Sequence, residues 1–376
     1  MPLKNSLPGI SGRKCRLLYV VGQLGAGGLE RQLYLLLQTM DRDRYRPHVV
    51  VWNYNDDDTY ACLIAKLGVP LHHFPRALSP TRKMLTFRAM IRQIEPEVIH
   101  SYSFYTNIAA SWATLGTKTI AVGGVRSNFS NDRRSCGILL GSLCARWPRN
   151  QIFNNFAAAE KARSSQSFFS PSEIFVVQNR VDLQEFRNTP LSINGRARIV
   201  GVGSLLPLKC WDRLLLAAAD LKAKALDFQV EIAGGGPMRD SLEIHARGLG
   251  LMDRVKLVGH TNDVSGFIAS STFLAHTSNT EGCPNVVMEA MACGRPVLAT
   301  DAGDTRSLVE DGITGFVVRR GDDMELTERL ARLIEDRDLC RRMGTLGRNK
   351  AEREFGLNRL VEETFAAYHA AGWEES

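Results

Sequence analysis

Short apolar runs alternate with amphipathic stretches along almost the whole chain. Leu17-Leu18-Tyr19-Val20-Val21 is a continuous apolar run of strand length, closed by Gly22, and residues 29–40 then carry helical spacing. The alternation continues with strands predicted at 48–52, 70–74, 98–100, 119–125, 151–154 and 174–177. Helices are predicted between them at 63–67, 84–94 and 157–164. Residues 188–198 break the pattern with Pro, Ser, Asn and Gly, and read as a linker. Beyond it, strands at 198–203, 228–233, 255–259, 272–276, 297–300 and 315–318 alternate with helices at 211–221, 241–247, 264–269, 305–310 and 325–335. Helices at 339–355 and 358–370 end the chain. Apolar strands separated by amphipathic helices predict parallel sheets covered on both faces. A chain of 376 residues exceeds the usual single core, so the expectation is an α/β fold of two doubly wound parallel sheets facing across a cleft.

One stretch carries the chemistry. In Glu281-Gly282-Cys283-Pro284-Asn285-Val286-Val287-Met288-Glu289, Pro284 suits a first helical position, because its missing N–H and fixed φ cost nothing there. Gly294 reads as the helix stop and Pro296 forbids continuation. The first-turn N–H groups of such a helix form an anion site. Glu281 lies just ahead of it and Glu289 on its second turn. An anion flanked by hydroxyl-rich groups satisfies all three, and a nucleotide diphosphate sugar is such a molecule.

Glu281 and Glu289 with seven residues between them, followed by Ala290-Met291-Ala292-Cys293-Gly294-Arg295-Pro296-Val297, resemble the retaining glycosyltransferases of family 4 on the GT-B fold. The resemblance implies that Glu281 touches donor-sugar hydroxyls, Glu289 holds the ribose diol, and backbone groups of Gly282, Cys283, Pro284, Asn285 and Val286 meet the diphosphate. Gly203-Ser204-Leu205-Leu206-Pro207-Leu208-Lys209 is similar to the family's diphosphate clamp, with Lys209 present and Ser204 where an arginine is usual. Gly259, His260 and Thr261 sit where the family meets the nucleotide base. Gly27-Gly28-Leu29-Glu30-Arg31 resembles the Gly-Gly-x-Glu turn that faces the cleft, and His100 and Asn107 follow a strand end that opens onto the acceptor side. A single histidine is more often structural.

Two further departures matter. Arg126 stands where many members place a histidine near the reacting sugar. It cannot act as a base at neutral pH, but it can hold a carboxylate- or phosphate-bearing acceptor. In Gln178-Asn179-Arg180-Val181-Asp182, Arg180 replaces the usual glycine, so the turn must differ or bear strain. The resemblance divides the chain into an acceptor domain at 1–188, a nucleotide-sugar domain at 189–356, and a terminal helix at 357–376 that crosses back to the first. It implies hexosyl transfer with retention to a glycan or lipid-linked acceptor in surface polysaccharide or glycolipid synthesis. Catalysis is expected to rest on Glu281, Lys209 and Arg126, without a metal or cofactor beyond the donor. The rivals are a sugar-nucleotide epimerase on the same fold and a nucleotide-sugar binder that has lost catalysis.

Composition narrows this picture. Residues 1–188 hold 24 Lys+Arg against 13 Asp+Glu, a balance of +11, and the remainder holds 23 against 27, a balance of −4. A basic first half suits an acidic partner such as anionic lipid or a phosphate-bearing acceptor. No aromatic-interleaved basic motif or zinc spacing points to nucleic acid. Residues 130–149 mix arginines with Ile138, Leu139, Leu140, Leu143 and Trp147, which suits either a helix lying on an anionic membrane or one packed on its own domain. No apolar run is long enough to span a bilayer, and 17–21 reads as a buried strand rather than a signal peptide. The eight cysteines form no C-x-x-C pair, and Asp56-Asp57-Asp58 reads as a solvated loop rather than a metal site. A cytoplasmic protein, at most peripheral on the membrane, is the expectation.

Overall fold

The computed structural model describes residues 14–75, 78–165, 167–192 and 195–375. In the first half, strands β1 (Cys15–Val21), β2 (Tyr45–Val51), β3 (Leu71–His73), β4 (Val98–Ser101), β5 (Ile120–Val125), β6 (Asn150–Phe153) and β7 (Glu173–Val176) form one sheet. Its order is β3-β2-β1-β4-β5-β6-β7, with neighbours parallel throughout. The helices between them are α1 (Gly28–Thr39), α2 (Thr59–Lys66), α3 (Pro80–Ile94), α4 (Asn107–Ala113), α5 (Phe129–Ser135), α6 (Ile138–Arg146) and α7 (Phe156–Ser164).

The second half repeats the plan. Strands β8 (Ala197–Val202), β9 (Phe228–Ala233), β10 (Val255–Gly259), β11 (Phe273–His276), β12 (Val297–Thr300) and β13 (Gly315–Val318) run parallel in the order β10-β9-β8-β11-β12-β13. They alternate with α8 (Trp211–Ala223), α9 (Arg239–Gly248), α10 (Val264–Ala269), α11 (Asn285–Ala292), α12 (Thr305–Leu308) and α13 (Asp323–Glu335). Helices α14 (Arg337–Glu354) and α15 (Leu357–Ala370) follow. The chain thus has the two parallel-sheet α/β domains of a GT-B fold.

Strand order reverses between β1 and β4 and again between β8 and β11, which opens a crevice beyond the carboxyl ends of those strands. The crevice residues follow Val21 and Ser101 in one domain and Val202 and His276 in the other. Helix α15 packs against the first domain, where Leu360, Phe365, Tyr368 and Trp373 join Tyr19 and Tyr45 in one core. The second domain has its own core around Trp211, Phe228, Phe273 and Leu298.

Several boundaries differ from the sequence reading, three of them instructively. Segment 130–149 is two helices rather than one, broken at Gly137, whose φ of 79° is open to glycine at little cost. The linker ends earlier than residue 198: Ala197 opens β8, and Arg198 lies within that strand, paired with Glu231 at 2.6 Å. Strand β2 starts at Tyr45, because the backbone pairing with β1 continues past the exposed Arg46 that hides it in the apolar pattern. Buried Arg295 pins the linker, donating from Nη1 to Thr189 O at 2.9 Å and from Nη2 to Thr189 Oγ1 at 2.7 Å. Among the described residues no helix is long and apolar enough to cross a membrane.

Candidate functional site

Helix α11 starts at Asn285, not Pro284. Pro284 occupies the cap position with φ −73° and ψ 106°, an extended conformation that turns the chain into the helix. The buried face of Val287, Met288, Ala290 and Met291 anchors α11 against β11 and β12, so its free first turn faces the crevice. Gly294 ends the helix with φ 71°, as the sequence predicts. The preceding loop is fixed by Gly303, where a Cβ would lie 2.2 Å from Gly282 O and 2.7 Å from Glu281 O. Only glycine permits that approach.

Glu281, Lys209 and His276 form one cluster at the crevice floor. Lys209 Nζ lies 2.5 Å and His276 Nε2 3.1 Å from the same oxygen, Glu281 Oε1. Burial pushes the Glu281 carboxyl up, but the His276 hydrogen bond and the charges of His276 and Lys209 outweigh it and hold the group at about 2. The carboxylate is therefore a fixed acceptor, and Lys209 is a cation on the same cavity as the first turn of α11.

Glu289 is buried on the second turn of α11, and Arg31 Nη1 of α1 reaches it across the crevice at 2.6 Å. Burial raises the Glu289 carboxyl, with Arg31 acting in the opposite direction. Gly28 abuts the same helix: a Cβ there would lie 2.9 Å from Asn285 Nδ2. Gly28, Asn285 and Glu289, with Lys209, His276, Glu281, Gly203 and Arg126, line a cavity of about 600 Å³ between the domains. That is the size range of small-ligand sites.

Arg126 is held from behind. Its guanidinium lies 4.2 Å from the Tyr102 ring centre, and Nη2 is 3.4 Å from His100 Nε2. Arginine only donates, so His100 Nε2 accepts, and His100 Nδ1 carries the proton toward Tyr368 Oη at 2.8 Å. Burial first, then the Arg126 charge, keeps this imidazole neutral.

The domains are also stitched beside the site. Asp304 accepts from Phe156 N at 2.9 Å, Ala157 N at 3.1 Å and Gln178 Nε2 at 2.6 Å, so a second-domain carboxylate caps α7 of the first. Asn179 Nδ2 donates to Asn285 Oδ1 at 2.8 Å and to Cys283 O at 3.1 Å. Arg180 has no positive φ and bears no strain. Its buried guanidinium pairs with Glu363 of α15, and its backbone exchanges two hydrogen bonds with the Gln32 amide. The arginine that replaces the usual glycine thus ties the turn to the crossing helix.

Of the sequence-derived residues, Gly28, Arg126, Gly203, Lys209, Glu281, Gly282, Cys283, Pro284, Asn285, Val286 and Glu289 all line the cavity. Gly259, His260 and Thr261 lie outside it, at the end of β10, joined to the Gly203 region through Gly234, whose N–H donates to Gly259 O at 2.8 Å. The Ser204 carbonyl accepts from Trp211 Nε1 at 3.0 Å. Gly27 caps α1, and Glu30 is buried, folding back over it.

Two acceptor-side expectations need correction. His100 is buried behind Arg126 rather than facing the cleft. Asn107 lies in the core, where its amide bridges Gly124 and Cys144 O and leaves none of its polar atoms for a ligand. The sequence reading assigned no role to Arg31, His276, Asn179 or Asp304. Arg31 sat inside the quoted glycine motif, and His276 ended a predicted strand five residues before Glu281, so position could have flagged both.

Residues 26–185 match the family model Glycosyltransferase Family 4, and residues 182–350 match Glycosyl transferases group 1. A Haemophilus influenzae protein described as an uncharacterized glycosyltransferase is 34% identical over 166 residues, 44% of this chain and 47% of that protein. The alpha-D-kanosaminyltransferase of Streptomyces kanamyceticus is 29% identical over 182 residues, 48% of this chain and 47% of that protein. The chain thus spans about half the length of the curated relatives it matches. The structure of Anabaena Alr3699/HepE in complex with UDP aligns with a TM-score of 0.81 at 20% identity, covering 94% of this chain and 100% of that one. The apo lipopolysaccharide outer core galactosyltransferase WaaB aligns at 0.77 and 16%, covering 94% and 99%. The two family models overlap at residues 182–185 and together take in residues 26–350; with the likeness in fold they support a GT-B glycosyltransferase, its first half similar to family 4 and its second half to group 1.

Proposed function

We propose that the protein moves a hexose or N-acetylhexosamine from a nucleotide diphosphate sugar to a hydroxyl of a glycan or lipid-linked glycan, with retention of configuration. The observation that carries this reading is the convergence of Lys209, Glu281, Glu289 and the first turn of α11 on one cavity. The neighbour HepE was solved with UDP and with UDP-glucose, which supports a nucleotide-sugar donor.

In this reading the diphosphate lies on the α11 amides and Lys209, the donor sugar against Glu281, and the ribose against Glu289 once Arg31 gives way. Rupture of the bond between the sugar C1 and the β-phosphate oxygen leaves negative charge where Lys209 and the amides stabilise it. The acceptor oxygen bonds to C1 on the face the phosphate leaves, and its proton passes to the departing phosphate. The cavity's two carboxylates are Glu281 and Glu289, each already paired with a cation, so neither is poised as a nucleophile. That favours front-face transfer. Lys209 and the helix terminus offset the diphosphate charge, so the scheme uses no divalent cation or other cofactor.

Arg126 on the acceptor wall suits an acceptor that carries a phosphate or carboxylate near its hydroxyl. With the basic first domain, this supports a cytoplasmic role on lipid-linked intermediates of surface polysaccharide or glycolipid synthesis. The test incubates the protein with candidate UDP- and GDP-sugars and assays free nucleotide with and without a membrane lipid extract. Extract-dependent nucleotide release is expected. Release without any acceptor would indicate an epimerase, and binding without consumption a lapsed enzyme.

A further inference from the structure

We infer that the surface formed by the end of α5, the start of α6 and the turn at 167–170 seats the first domain on an anionic lipid bilayer. This goes beyond the donor reading and does not depend on it. The break at Gly137 directs the first residues of α6 outward, leaving Ile138 92% and Leu139 76% exposed. On the neighbouring turn Phe168 is 70% exposed. Isolated exposed apolar residues are ordinary, but these all border the short helix α6: Ile138 and Leu139 open it, and Phe168 lies under Arg146 at its end. Arg133 lies over the Phe169 ring at 5.6 Å and Arg146 over Phe168 at 5.2 Å, so the aromatic turn is tied to both helices.

The rim is cationic. Arg133, Arg134 and Lys161 line a cavity of about 460 Å³ that Ile138 borders. Arg133 donates to Ser142 Oγ, and Arg134 to Ser130 O and Asn131 Oδ1, all neutral partners. Among the described residues none of these three cations is in an ion pair. Apolar side chains that can enter the acyl boundary, beside cations whose partners leave their charge unneutralised, fit an anionic membrane. A second copy of the chain is disfavoured as the occupant, because a self-complementary contact would set the same cations against each other.

The test is flotation of the full chain with vesicles of pure phosphatidylcholine and with vesicles containing phosphatidylglycerol. Expected is binding to the second kind only, weakened by added salt. Arg134→Glu with Lys161→Glu, and separately Leu139→Asp, should each weaken it by at least about fivefold, since one surface cation contributes roughly that factor. A thermal shift on adding UDP or GDP, unchanged in these variants, shows that they fold and keeps this test separate from the donor site. Equal binding to both vesicle types, full binding by Leu139→Asp, or a wild-type dimer that Leu139→Asp dissociates would each overturn the inference.

Discussion

Arg31 and Glu289 meet across the interdomain crevice at 2.6 Å, although 258 positions separate them in the chain. The pair joins the glycine turn of the first domain to the helix that opens the donor site. It places a guanidinium where the ribose diol is proposed to bind, so donor binding and the salt bridge compete for one carboxylate. Arg31→Ala leaves Glu289 buried without its cation and should lower stability by about 1–3 kcal/mol in the absence of ligand. The same variant should gain more in Tm on adding nucleotide than the wild type does. Scanning fluorimetry with and without UDP or GDP checks both, and an unchanged nucleotide shift would rule the competition out.

Lys209 is assigned to the leaving phosphate. Lys209→Ala should lower kcat by about 100- to 1,000-fold, the scale seen when one preorganised charge-stabilising group is lost. Steady-state nucleotide release measures it. Full turnover in this variant would remove Lys209 from the mechanism.

The Glu281 carboxyl titrates at about 2, below its ordinary 4.5. In that window the native state binds fewer protons than the unfolded one, so stability rises with pH. The contribution is complete above pH 4.5 and is lost as pH falls toward 2. It is on the order of a few kcal/mol. Urea denaturation of Glu281→Gln at a series of pH values should show a flatter acid limb than wild type. Identical limbs would mean that Lys209 and His276 do not stabilise the charge.

Asp304 holds the domains together by capping α7 from the opposite domain. Asp304→Ala should cost about 1–2 kcal/mol, the range of helix caps, and Asp304→Asn less, since its amide oxygen still accepts. Small-angle scattering should show a larger radius of gyration for the alanine variant if the cap restrains the crevice. Wild-type dimensions and stability would assign that restraint elsewhere.

Much of this architecture was legible in local pattern. Continuous apolar runs between amphipathic segments mark the strands of both sheets, and Pro284 with Gly294 brackets α11 to within one residue. The glutamates on and before α11 were readable for the same reason, being tied to that helix by short spacing. Contacts between the domains were not readable. Arg31 on Glu289, Asp304 on α7 and Arg180 on Glu363 join residues more than a hundred positions apart, and no periodicity encodes such pairs. His100 and Asn107 show the limit at a strand end: sequence gives the position, but packing sends one side chain behind Arg126 and the other into the core. Gly137 shows another, since an exposed glycine in a helical stretch signals a break only once the following residues are seen to turn outward.

The central claim is that a sugar nucleotide's diphosphate rests on the start of α11 beside Lys209. A crystal structure of the protein soaked with a UDP- or GDP-sugar tests it most directly. The account predicts phosphate oxygens on the Asn285 and Val286 amides and Lys209 Nζ, the sugar against Glu281, and Arg31 displaced from Glu289 by the ribose. A nucleotide bound elsewhere, with the Arg31 to Glu289 and Lys209 to Glu281 pairs both intact, would contradict it.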